Sequence, residues 1–95
     1  MMDQTTVKKI LISLKPEQMQ HYLKMKGWTR SQTFDRAELW THAQHDAEIL
    51  LPRDQHVADY LLRMADAVEV LRKIENRSFI DVLSALHKNT IFPPR

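Results

Sequence analysis

The chain has 95 residues, which suits one small domain and leaves no room for two; a domain of this size hides roughly 65% of the surface its unfolded chain exposes. An apolar fraction of 43%, a charged fraction of 27%, one glycine and four prolines leave little room for low-complexity linkers, and the lack of cysteine excludes disulfides and thiolate metal ligation, as befits a reducing cytoplasm. The formal charge of +2 comes from 14 Lys and Arg mixed with 12 Asp and Glu, without the dense basic stripe of a dedicated nucleic-acid protein, and no apolar run is long enough to span a membrane.

In chain order, residues 6–13 hold Val7, Ile10, Leu11 and Ile12 close together and read as a short strand or an extended lead-in. Pro16 suits a first helical position, Glu17 favours the positive helix end, and Met19, Tyr22, Leu23 and Lys26 recur at helical spacing until Gly27; this predicts a helix over 16–26. Three strands follow at 29–34, 37–41 and 47–51, separated by turns at Asp35-Arg36 and at residues 43–46. Alternation sets Leu39 and Thr41 against Glu38 and Trp40, and Ala47, Ile49 and Leu51 against Glu48 and Leu50.

Asp54 is a suitable N-cap for a long helix ending near Asn76, with a stripe of Val57, Leu61, Met64, Val68 and Leu71. A second stripe of Ala58, Leu62 and Ala65, extended by Val70 and Ile74, is more apolar surface than one sheet contact needs. Ser78 opens a short last helix carrying Phe79, Val82, Leu83 and Leu86, and residues 89–95 read as an extended tail ending in Pro93-Pro94-Arg95. The expected architecture is a single α+β domain over residues 1–95, β-α-β-β-β-α-α. Its antiparallel three-stranded sheet is packed by two main helices and a short C-terminal one. Leu23, Leu39, Ile49, Leu51, Leu61, Met64, Val68 and Leu83 are its expected core.

A helix, the run "KGW", a hairpin and "ILLP" before a long helix resemble the double-stranded-RNA-binding-like α-β-β-β-α fold, in particular the small HicA toxins of bacterial toxin–antitoxin pairs. The resemblance covers about residues 15–72 and implies an RNA-directed toxin whose turn into the second strand carries a histidine. The matching place here reads Asp35-Arg36-Ala37-Glu38, so the residue that would serve RNA cleavage is missing. The same layout, with Asp59-Tyr60 and a Ser-started last helix, is also similar to small bacterial and phage proteins of no assigned activity.

Of the five histidines, His42 and His45 flank a turn beside Asp46, which is short of the ligand set a zinc site needs, so no metal or other cofactor is expected. No nucleophile–base spacing, paired carboxylates or glycine-rich phosphate loop is present. Trp28 and Trp40 present one outward tryptophan, because Trp40 cannot share a face with Leu39 in one strand. With Leu62, Val70 and Ile74 it forms the expected interface. Lys24, Lys26, Arg30 and Arg36 form the alternative, a basic patch for phosphates. The leading expectation is a cytoplasmic, non-catalytic protein-interaction module of a bacterial or phage toxin–antitoxin or defence-type assembly, with a protein partner or a second copy and no membrane. The alternatives are a nucleic-acid-binding domain of dsRNA-binding-like fold and an atypical HicA-like ribonuclease.

Overall fold

The computed structural model describes residues 4–88. The order is α1 (Gln4–Ser13), α2 (Pro16–Met25), β1 (Thr29–Thr33), β2 (Ala37–His42), β3 (Ala47–Pro52), α3 (Tyr60–Glu75) and α4 (Phe79–Lys88). The expected tail at 89–95 lies outside the described residues.

The first element is a helix where a strand was expected. Val7, Ile10, Leu11 and Leu14 stand at i, i+3, i+4 and i+7, and that period prevails over the β-branched character of single residues. Leu11 and Leu14 are buried, Val7 and Ile10 pack against the core, and Ile12, off the stripe, is exposed. In α2 the backbone N–H of Lys15 donates to Gln18 Oε1 at 2.9 Å. The helix closes in a Schellman motif: Trp28 N donates to Leu23 O at 2.9 Å and Gly27 N to Lys24 O at 3.2 Å. Gly27 has φ +91, and a Cβ there would sit 3.2 Å from His42 Nε2, so this turn requires glycine.

The three strands form one antiparallel sheet in the order β1-β2-β3. On β2 the buried row is Glu38, Trp40 and His42, and on β3 it includes Ile49 and Leu51. This reverses the expectation for Leu39, which lies half-buried on the other face. The larger indole takes the covered side, and its Nε1 donates to Glu38 Oε1 at 3.0 Å, which removes the cost of burying that N–H.

α3 begins at Tyr60 rather than at Asp54. The Asp54 carboxylate accepts from His56 N at 2.8 Å and so stabilises a turn, and Val57 N and Tyr60 N bond back to Asp54 O and Val57 O. Ala58 therefore leaves the helix, whose 16 residues span about 24 Å. Met64, Ala67, Val68 and Leu71 face inward, and α3 packs over β3. Asn76 ends it in the left-handed region at φ 56, and Ser78 Oγ accepts from Asp81 N at 3.1 Å to start α4. α1 and α4 both pack on α3. Of the second stripe, which had looked surplus, Ala65, Val70 and Ile74 are partly buried against the core, and Leu61, expected fully inside, is likewise only partly buried.

Candidate functional site

The helices cover one face of the sheet, and the strand registers define what the other face presents. Across β1, β2 and β3 one row is Thr29, Thr41 and Glu48; the next is Gln32, Leu39 and Leu50; the last pairs Ala37 with Pro52. Ser31 is the extra residue of a bulge in β1, and its hydroxyl donates to Leu39 O at 3.3 Å. Phe34 donates its backbone N–H to Ala37 O at 2.7 Å and is 47% exposed. The face is thus polar at its Thr29 end and apolar at its Ala37 end. Along that apolar end, between β3 and the segment of residues 53–59, runs a groove of ≈ 450 Å³ lined in part by Leu50, Pro52, Val57 and Ala58.

The interface residues expected from sequence divide. Trp28 and Trp40 are 5% and 1% exposed, so neither tryptophan is outward. Trp28 instead meets the His42 ring edge-on at 5.3 Å. Val70 and Ile74 pack against the core, while Leu62 is 62% exposed. The residues sequence reasoning missed are Leu50, Pro52 and Val57 around the groove, and Leu39, which it assigned to the core. A leucine at position 50 on an otherwise polar face was the available signal.

The four basic residues do not meet in one patch. Lys26 lies at the end of α2, its backbone carbonyl 3.0 Å from His42 Nε2, whereas Arg36 precedes Ala37 at the opposite end of β2. The strand between them is roughly 17 Å long. Lys24 and Lys26 are exposed, and the Lys26 ammonium lies 5.5 Å from the Tyr22 ring centre. Arg30 is engaged by the buried carboxylate of Glu38 at 3.3 Å, which also accepts from Gln20 Nε2 at 3.1 Å. Glu38 is therefore a tie between α2, β1 and β2, closed to solvent.

The other polar groups are similarly committed. His42 receives Gln44 N on Nδ1 at 3.2 Å and therefore donates through Nε2 to Lys26 O, which sets its tautomer and ties the β2–β3 turn to the end of α2. Tyr22 donates to both Glu75 carboxylate oxygens, at 2.8 and 2.9 Å, and burial followed by that carboxylate pushes its hydroxyl up to about 12. Tyr60 donates to Leu14 O and is likewise pushed up to about 12, chiefly by burial and then by Glu17. Both phenols remain protonated donors at neutral pH. Ser13 Oγ lies 3.3 Å from His87 Nε2, but its hydroxyl donates to Ile10 O at 2.8 Å, so the pair joins α1 to α4 without the geometry of an activated nucleophile. Among the described residues no group of three or more histidines and carboxylates is placed to hold a metal ion, and no helix is long and apolar enough to cross a membrane.

Comparison with family models, curated proteins and solved structures gives no match. The functional reading therefore rests on the geometry of this chain.

Proposed function

We propose that the protein is a non-catalytic protein-interaction module that binds a partner protein with the sheet face that none of the described helices covers. The observation that carries this reading is the pairing of Leu39 with Leu50 directly across β2 and β3 on that face, next to Ala37 and beside the exposed Phe34. A solvated sheet face ordinarily alternates to polar residues, and a contiguous apolar patch on one marks a contact surface. The commitment of Glu38, His42 and both buried tyrosines to internal hydrogen bonds supports a scaffold role for the polar groups. The turn at Asp35-Arg36 also lacks the histidine that the HicA toxins, which the chain resembles in layout, carry there for RNA cleavage.

The test compares the wild type with a Leu39→Ser, Leu50→Ser double variant, both verified as folded by circular dichroism. A partner protein that binds the wild type and is lost by the double variant supports the reading. Equal binding by both proteins places the contact elsewhere and defeats it. A gel shift with RNA and DNA supplies the counter-outcome. Retardation that weakens steeply with salt and disappears on Lys24→Ala with Lys26→Ala, in a protein that binds no partner, replaces this reading with nucleic-acid binding.

A further inference from the structure

The groove along β3 narrows the kind of partner, an inference that rests on the protein-interaction reading above. Its volume of ≈ 450 Å³ is that of a side-chain or ligand cleft. The whole outer face is small as well: three strands about 4.8 Å apart and six residues long at about 3.3 Å each offer roughly 300 Å². A stable interface between two folded proteins takes about 800 Å² from each partner, so this face is too small to hold a second copy by itself. A short segment lying along the groove fits the available area.

Charge sets the second requirement. Within the groove the Asp59 carboxylate accepts from Arg63 Nε at 3.0 Å, so those two charges offset each other. Arg36 stands at the rim, exposed, and among the described residues its guanidinium has no hydrogen-bond or ion-pair partner. Arg36 also borders an adjoining hollow lined by Asp35 and Asp54, but neither carboxylate bonds its guanidinium: the Asp54 carboxylate is taken by His56 at 2.8 Å, and neither acid lines this groove. The groove therefore combines an apolar floor with one uncommitted planar cation, and a guanidinium in that state favours a carboxylate.

We propose that the groove binds a short extended segment of a partner protein, which lays an apolar side chain between Leu50 and Val57 and offers a carboxylate to Arg36. The experiment selects a random peptide library displayed on phage against the wild-type protein alone and then measures the selected peptides on Leu50→Glu protein, with circular dichroism confirming that each variant is folded. The selected peptides are expected to place Asp or Glu beside a large apolar residue and to bind Leu50→Glu about tenfold more weakly. Arg36→Glu should weaken them by a similar factor, and replacing their acidic residue by lysine should restore binding to that variant.

Peptides that depend on Leu50 but show no acidic preference overturn the partner chemistry while leaving the protein-interaction reading intact. Peptides that bind Leu50→Glu as well as the wild type overturn the groove as the site. If no peptide is selected while a folded partner still binds through Leu39 and Leu50, the short-segment proposal fails and the broader reading stands. If neither peptide nor partner depends on this face, both fail together.

Discussion

The two faces of the sheet differ in how their residues are held. On the inner face Glu38, Trp40, His42, Ile49 and Leu51 are buried, and each polar group among them has a partner: Glu38 receives Gln20, Arg30 and Trp40, and His42 spans Lys26 and Gln44. On the outer face Leu39 and Leu50 are paired across the strands but only half-buried, and among the described residues no helix lies above them. Polar groups inside serve stability, whereas apolar groups outside add little to it and are available for contact. Apolar character alone would have misassigned both sides.

The comparison predicts unequal costs. Trp40→Ala opens a cavity in the covered layer and leaves Glu38 without one of its donors, and it should destabilise the fold by about 3–5 kcal/mol, read as a lower denaturant midpoint at unchanged slope. A loss under about 1 kcal/mol would place the indole outside the packed layer.

Gly27→Ala acts at the margin of the inner face, where φ is +91 and the new methyl would approach His42 Nε2 at 3.2 Å. It should cost about 1–2 kcal/mol. The Gln44 amide, which bonds the same imidazole, should exchange faster with solvent in this variant. Unchanged exchange would mean that His42 does not couple the turn to α2.

Alkaline pH probes the tyrosine ties on the helical side. Tyr22 and Tyr60 titrate at 10.0 when unperturbed and at about 12 in the fold, so the folded state holds its phenolic protons longer than the unfolded chain does. Their contribution is complete below pH 10 and is lost as pH rises through about 12. Stability measured across this range should fall in the wild type and fall less in a Tyr22→Phe, Tyr60→Phe double variant. Parallel curves would show that other groups govern alkaline unfolding.

The smallest effect per side chain is expected outside. Leu39→Ser with Leu50→Ser should cost about 1 kcal/mol per side chain, less than for a fully buried leucine because both are partly in water, while removing partner binding. A loss as large as that of Trp40→Ala would mean that the outer leucines belong to the core, and the distinction between the faces would collapse.

Much of this architecture was legible in the order of the residues. Pro16 and Gly27 delimit α2, the period-two runs of residues 29–52 supply three strands, and Ser78 starts α4, because caps, turns and periodicity act over a few neighbours. The helical stripe of Val7, Ile10, Leu11 and Leu14 was also present, although the β-branched residues beside it pointed to a strand. Tertiary structure decided what local pattern could not. Which face of β2 is inside depends on which side the helices cover, and a period of two is identical from either side. How much of α3 is free depends on α1 and α4, which both pack on it, the first nearly fifty residues earlier in the chain. The groove beside Leu50 arises only when residues 53–59 turn back along β3 before the helix begins, and it brings Arg36 to the rim of a cleft whose floor lies on another strand.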